Sequence, residues 1–258
     1  MIKSTLLFLA LLFFLKIAQG QNLENRSKNQ IEISFGYQSN VLKDANFSPL
    51  NQHGGGFATL LKYKRRSKHI FGANFQISPG QLNSGPSNAF SSTYIHANLE
   101  IEYLFKLTQK TDTYHFFIGP AYNTNVLYLD WYNLDAFSYT ATHGIDIKGL
   151  VSKRINKKQF IQATLSVPVF QFLARPPYNG IDENIIENQD NPAKIIFSGT
   201  PSSFNSFIAL EFGVTYKYKL RQHLDWCLNY ALFSQKVNAP NRFKSLSNTL
   251  STGLVLNF

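Results

Sequence analysis

Residues 250–258 read LSTGLVLNF, and this stretch decides the fold. Every second residue is apolar or carries a methyl group: Leu250, Thr252, Leu254, Leu256 and Phe258. The residues between them are small or polar, except Val255. A period of two is typical of a β-strand with one apolar face and one polar face. We therefore expect an amphipathic strand that finishes on an aromatic side chain.

The same alternation recurs along the chain and predicts ten strands in all. In one of the clearest, Ile95, Leu99 and Ile101 alternate with polar residues such as Glu100. The predicted strands cover residues 30–40, 56–64, 69–78, 95–105, 113–125, 139–152, 159–172, 204–219, 223–235 and 250–258. Pro120 lies inside the fifth of these and weakens it or implies a bulge, because proline cannot donate a ladder hydrogen bond.

The connections between these strands alternate in length. Short turns occupy residues 65–68, 108–112, 153–158 and 220–222, and the longest connection covers residues 172–203. Long loops at one end and tight turns at the other, with an even number of strands, are typical of transmembrane barrels. A soluble β-sandwich would not need this regularity.

The N-terminal residues predict a secretory signal peptide over residues 1–20. Lys3 is followed by the apolar run 6–15, and Ala18-Gln19-Gly20 supplies small residues for cleavage before Gln21. A membrane anchor is the alternative, but the run is about 10 residues long against roughly 20 for a spanning helix. We expect a short periplasmic segment at 21–29 and a single barrel domain over 30–258.

Composition agrees with export and with a barrel. The formal net charge is +10, the mean hydropathy is −0.17, and the single cysteine excludes an internal disulfide. The 23 Phe and 13 Tyr suggest aromatic girdles at the two membrane boundaries. Near the short turns lie Tyr63, Tyr103, Phe105, Tyr114, Tyr216 and Tyr218. Near the long loops lie Tyr37, Phe57, Tyr94, Tyr122, Tyr139 and Phe204. The alternative is an aromatic core in a soluble β protein.

These patterns resemble the small outer-membrane β-barrel proteins of Gram-negative bacteria. The resemblance covers residues 30–258 by alternation, and by motif only the terminal strand with Leu254, Leu256 and Phe258. It implies an antiparallel up-and-down transmembrane β-barrel of about ten strands, closed by pairing of the first and last, with long extracellular loops and short periplasmic turns. It also implies recognition by the barrel-assembly machinery, a location in the cell outer membrane, and contact with its lipid and lipopolysaccharide.

Charged residues on the polar strand faces are the main functional candidates. In a barrel they would point into the lumen. They are Glu32, Lys62, Glu100, Glu102, Asp146, Lys148, Glu211, Lys217 and Asp225. One interpretation is an ion-pair network that fills a narrow barrel. The other is a charged constriction in a restrictive pore for a small solute.

Other polar clusters predict no metal, cofactor or nucleic-acid site. Basic residues in the short turns could contact anionic headgroups or the cell wall, or could simply be solvated. They lie on separate turns, which disfavours nucleic-acid binding. The acidic loop with Asp182, Glu183, Glu187 and Asp190 lacks the ligand order of a calcium loop.

The sequence predicts no catalytic arrangement, so we expect a protein that is not an enzyme. His53 precedes three glycines, as in an esterase oxyanion-hole motif, but the chain has no G-x-S-x-G elbow. His143 is expected on the outer wall without a serine two residues away. Asp130 and Asp135 have no histidine close in sequence.

The sequence predicts first a restrictive, porin-like channel or uptake component, suggested by the charged lumen, and two alternatives accompany it. The second is a structural or partner-binding barrel, connected with adhesion or secretion, that uses the loop at 172–203 or the basic turns. The third is a lipid-modifying enzyme of the outer membrane.

Overall fold

A computed structural model describes residues 28–107, 114–131, 136–176, 187–188, 190–197, 199–204, 206–238 and 241–258. The predicted signal peptide, the turn at 108–112, and Asp135, Asp182 and Glu183 lie outside these residues.

The described chain is almost entirely β-structure. Its strands are β1 (Asn29–Asp44), β2 (Gln52–Arg66), β3 (Ile70–Ser84), β4 (Phe90–Lys106), β5 (Tyr114–Trp131), β6 (Ala136–Arg154), β7 (Gln159–Ala174), β8 (Thr200–Ser202), β9 (Phe207–Arg221), β10 (Leu224–Val237) and β11 (Phe243–Asn257). A 3₁₀ turn lies at Pro86–Asn88, and a short helix, α1, at Pro192–Phe197. Neither is long and apolar enough to cross a membrane, and no other helix of the described residues is.

Ten strands close into an antiparallel barrel. Each strand pairs with its sequence neighbour, β7 pairs with β9, and β1 pairs with β11. In the closing pair Ile33 lies opposite Leu254, and Tyr37 lies opposite Leu250. The predicted closure of the first strand on the last is therefore confirmed, and it leaves the ring without a free edge.

The ten predicted strands are confirmed, but most are longer than their patterns indicated. β5 ends at Trp131 rather than residue 125, and β11 begins at Phe243 rather than residue 250. In the β11 extension the outward residues include Lys244 and Asn248. In the β5 extension the inward Leu127 and Leu129 are apolar as well as the outward Tyr128, so the apolar–polar alternation is lost in both. The loop-end connections are consequently 45–51, 85–89, 132–135 and 238–242, and only 175–206 is extensive.

Pro120 does not cause the bulge that its position suggested. Glu102 pairs with Ala121 and Phe105 pairs with Ile118 in one unbroken register, so only the ladder pairs beside Pro120 are missing. A register shift lies instead between β6 and β7, where Ile145 pairs with Phe170 but Asp146 pairs with Pro168. Val169 is therefore the extra residue of a bulge next to a proline.

The barrel is apolar outside and polar inside. Tyr37 and Phe57 are each 57% exposed on the outer wall, whereas Glu32 and Gln38 are buried inside. Two of the twelve predicted girdle residues are exceptions. Tyr94 is 1% exposed and points inward, because it has the opposite parity to Ile95. Tyr139 has the outward parity but is covered by α1.

Candidate functional site

The middle of the lumen holds two groups of ion pairs. In one, the Nζ of Lys148 binds Glu100 and lies 2.8 Å from Glu102 Oε2, and Lys64 approaches Glu102 at 3.7 Å. In the other, Lys62 and Lys217 lie 3.4 Å and 3.5 Å from the carboxylate of Glu32. These side chains are largely removed from solvent, where an unpaired charge would carry a large desolvation free energy.

The nine lumen charges predicted from sequence lie on the inner face, but the structure does not join all of them. Asp146 accepts hydrogen bonds from Gln171 at 2.7 Å, Ser166 at 3.1 Å and Asn123 at 3.4 Å. Asp225 is buried, and among the described residues it forms no ion pair with either group. Glu211 makes no hydrogen bond or ion pair with another residue of the described chain.

Sequence reasoning missed several residues of the lumen network, among them Lys64 and Asn229. Lys64 has the same parity as Lys62, so the alternation alone would have found it. Asn229 donates to Glu32 Oε1 at 2.9 Å and accepts from Thr215 at 2.8 Å. Its role depends on the proximity of β1 and β10, which are separated in the ring by β11. No pattern within one strand could have shown it.

The space left between these charges is small. The central cavity has a volume of about 90 Å³ and is lined by Lys62, Glu100, Glu102, Lys148 and Glu211 among others. Ligand pockets for small molecules usually measure about 300–1,000 Å³. A cavity of this size holds a few water molecules.

An apolar plug fills the lumen at the loop end. Its side chains come from eight strands and from the β1–β2 connection, so it crosses the whole interior. They are Leu42, Phe47, Leu82, Tyr94, Leu127, Leu129, Leu173, Phe207, Ala209, Val237 and Phe243. Phe47, in the β1–β2 connection, inserts into the plug, and its ring centroid lies 4.7 Å from that of Trp131.

A buried ion pair connects loop-end segments of the chain next to this plug. Arg175 Nη2 lies 2.6 Å from Asp44 Oδ1, and Ser138 donates to the other Asp44 oxygen at 2.8 Å. Arg175 also donates to the Asn241 carbonyl at 2.7 Å. Burial lowers the pKa of the Arg175 guanidinium, and the Asp44 carboxylate opposes that shift. Through these contacts, Arg175 links the ends of β1 and β7 to the β10–β11 connection.

A second apolar cluster narrows the lumen at the turn end. Ile70, Leu104, Phe117 and Leu150 pack together on one side. The Arg66 guanidinium lies 5.2 Å from the centroid of the Phe117 ring and donates to Ser152 at 2.9 Å. The interior is thus polar in the middle and apolar toward both ends.

The outer wall of β6 and β7 carries α1. Ile195 and Ile196 pack against the cluster of Tyr139, Ala141 and Ala174. His143 lies on the outer wall, as expected, and its ring centroid is 5.0 Å from that of Phe172 and 4.9 Å from that of Phe197.

Other candidate catalytic or metal positions do not assemble into a site. Gly54, Gly55 and Gly56 lie within β2 and pair with β3. A Cβ on Gly56 would come within 1.9 Å of the Pro79 carbonyl oxygen, so close strand approach accounts for that glycine. In the described ranges, no three His, Cys, Asp or Glu side chains group as metal ligands.

The pairing of β7 changes partner part-way up the wall. From Gln159 opposite Tyr218 to Ser166 opposite Glu211, it pairs with β9. Higher up, Gln171 to Leu173 pair with the short strand β8 instead. Residues 167–170 pair with neither strand, although the Ser203 hydroxyl donates to the Val169 carbonyl at 3.2 Å.

A comparison with solved structures agrees with this architecture. The outer-membrane protease OmpT from Escherichia coli superposes with a TM-score of 0.56 at 8% identity, over 93% of this chain and 99% of that one. The chain has the fold of an outer-membrane β-barrel. Identity this low indicates shared fold alone, so the protease activity of OmpT is not carried over.

Two further barrels match with TM-scores too low to support an argument. The transport unit of the autotransporter AIDA-I from Escherichia coli gives 0.38 at 11% identity, covering 93% of each chain. Neisserial surface protein A gives 0.33 at 9% identity, over 91% of this chain and all of that one. No family model and no curated protein matches the sequence.

Proposed function

We propose that this protein is a non-enzymatic barrel of the outer membrane whose axis is closed, and that it acts as a structural or partner-binding barrel. The observation that carries the proposal is the apolar plug. Eight strands contribute to it, and the Asp44–Arg175 pair holds the chain over it. This favours the second sequence hypothesis over the restrictive channel.

The outer wall supports the membrane location. Large apolar side chains such as Ile33, Leu99 and Leu250 are between 43% and 56% exposed. An apolar exterior of this extent is unfavourable in water and matches the lipid-facing band of a transmembrane barrel. Outer-membrane lipid, lipopolysaccharide and the assembly machinery remain the proposed partners of this surface.

The connection 175–206 is the best candidate for binding a partner outside the cell. It is the one extensive connection at the loop end, and it packs α1 and β8 against the barrel wall. This packing presents Phe197, Phe204, Glu187 and Asp190 at the surface. Mixed apolar and acidic exposure of this kind suits recognition of another macromolecule.

Planar-bilayer recording tests the closed axis. The wild-type protein is expected to give no steady conductance. Asp44→Asn combined with Phe47→Ser removes the buried pair and the inserted ring, and should produce channel steps. Lys244→Gln is the matched control, because Lys244 is exposed at the same end, and it should stay silent. Stable steps from the wild type would overturn the proposal.

The absence of a catalytic role is tested separately. Overexpression should leave the lipid A and phospholipid profiles of the host unchanged by mass spectrometry. A new lipid species that depends on His143 would instead favour the lipid-modifying alternative.

A further inference from the structure

The wall between β7 and β9 contains a gap in its hydrogen-bond ladder, which we call the seam. The seam consists of residues 167–170 on β7 and residues 207–210 on β9. Below it, the two strands pair regularly up to Ser166 and Glu211. Across the seam, the described residues make no ladder pair.

Three local features keep the seam unpaired. Pro168 has no N–H to donate. Val169 is the extra residue of the bulge against β6, which bends β7 at this point. Above the seam, β7 forms its ladder pairs with β8 instead of β9. Gly199 permits this, because a Cβ there would lie 2.6 Å from the Leu173 carbonyl carbon.

The outside of the seam is apolar and faces lipid. Val169 and Phe170 on β7 are 42% and 43% exposed, and Ile208 and Leu210 on β9 are 46% and 41% exposed. An alkyl chain that lay along this edge would meet mainly aliphatic and aromatic side chains, next to the Ser203 hydroxyl that donates to the Val169 carbonyl.

The cavity directly behind the seam has a mostly apolar surface that two carboxylates interrupt. Its volume is about 20 Å³, and it is lined by Pro168, Phe207, Ala209, Asp146 and Glu211, among others. Glu211 also lines the central cavity of about 90 Å³. The Glu211 side chain therefore stands where the seam meets the interior of the barrel.

Among the described residues, no cation lies within ion-pair distance of Glu211, and Lys148 and Lys62 act on it only from farther away. Lys148 binds Glu100 and Glu102, Lys64 approaches Glu102, and Lys62 and Lys217 flank Glu32. Asp146 is held by three neutral donors. A carboxylate in such surroundings is stabilised by any cation that can reach it.

We propose that the seam is a lateral binding site for a single-chain amphiphile with a protonated primary amine. The amine passes between Pro168 and Ala209 to the Glu211 carboxylate, and the alkyl chain remains in the lipid against Val169, Phe170 and Ile208. The cavity volumes fit a head group of this size and exclude a bulky one. This site would be entered through the barrel wall and not along the barrel axis. It is therefore separate from the proposal that the axis is closed.

Titration of the purified protein in phosphatidylcholine nanodiscs with dodecylamine tests this proposal. Calorimetry should show saturable binding, at least tenfold tighter than binding of dodecanol or dodecyl sulfate. Glu211→Gln should lose that tenfold preference. Asp225→Asn, which removes an interior carboxylate that does not line the seam cavity, should keep it. Equal binding of the three amphiphiles, or full amine binding by Glu211→Gln, would overturn the proposal.

A reversible cross-link tests the route independently of Glu211. In a Cys227→Ala background, Pro168→Cys with Ala209→Cys should lose dodecylamine binding on oxidation and regain it on reduction. Gln162→Cys with Thr215→Cys joins strands that are already paired, and should bind in both states. Unchanged binding by the oxidised seam pair would refute the lateral route. Bilayer conductance is recorded separately, so failure of this site and failure of the closed axis are distinguishable.

Discussion

At the scale of single residues, four lysines in the middle of the lumen each lie within ion-pair distance of a glutamate: Lys62, Lys64, Lys148 and Lys217. Lys148 contacts two glutamates, and its own side chain is only 6% exposed. Removing one member of a buried ion pair costs more than removing the whole pair, because the remaining charge is left without compensation.

Lys148→Met is therefore expected to destabilise the barrel by about 3–5 kcal/mol. Urea unfolding in lipid vesicles, followed by tryptophan fluorescence, measures this change. Adding Glu100→Gln and Glu102→Gln to the same chain should recover most of the loss, because the stranded charges are then absent. Lys157→Met, at an exposed turn, should stay within about 0.5 kcal/mol of the wild type. If Lys148→Met unfolds like Lys157→Met, the network is not a stabilising element.

At the scale of elements, β8 and α1 form an outer layer on a barrel that closes without them. Within the described residues β8 pairs only with β7, and α1 packs on β6 and β7 through two isoleucines. This layer also defines the upper edge of the seam. Its attachment depends on the close approach of Gly199 to the backbone of Leu173.

Gly199→Val should detach β8 while leaving the ten-strand ring intact. Limited proteolysis is expected to cut within 175–206 several times faster than in the wild type. Heat-modifiable gel mobility should be unchanged, because β8 is not part of the ring. Gly149→Ala is the matched control, since a Cβ at Gly149 meets nothing nearer than 4.0 Å. Equal protection of Gly199→Val and wild type would show that β8 does not depend on this contact.

At the scale of the whole molecule, closure of β1 on β11 determines the register of the barrel. Ile33 lies opposite Leu254, and both side chains are on the outer wall. A shift of one residue would turn the charged lumen toward lipid.

Ile33→Cys with Leu254→Cys, in a Cys227→Ala background, should form a disulfide without added oxidant catalyst. Directly opposed residues lie within disulfide range, whereas diagonal ones are about 7–8 Å apart. Ile33→Cys with Leu256→Cys should therefore cross-link much more slowly. Non-reducing gel mobility reports both. Faster linking of the diagonal pair would contradict the register.

Sequence alone determined the ten strands of the ring and the two faces of the wall, but it did not predict β8. A period of two needs only local side-chain preference, so the inward position of charges such as Glu32, Lys148 and Asp225 was predictable from parity. The closing pair was also predictable, because residues 30–40 and 250–258 repeat the same apolar face. Strand ends were harder, because the alternation stops where polar residues occupy the outer face of β11 and apolar plug residues occupy the inner face of β5.

Only the tertiary structure decided what the interior does. The plug at the loop end and the Asp44–Arg175 pair both bring together residues that are far apart in sequence. The lack of an ion pair at Glu211 likewise depends on where the lysines of other strands lie. Tyr139 was misassigned because α1 covers it from a distant connection. Alternation reports which face a side chain is on, while contacts across a barrel depend on register and shear around the whole ring. The sequence therefore specifies the wall, and the closed ring specifies what fills it.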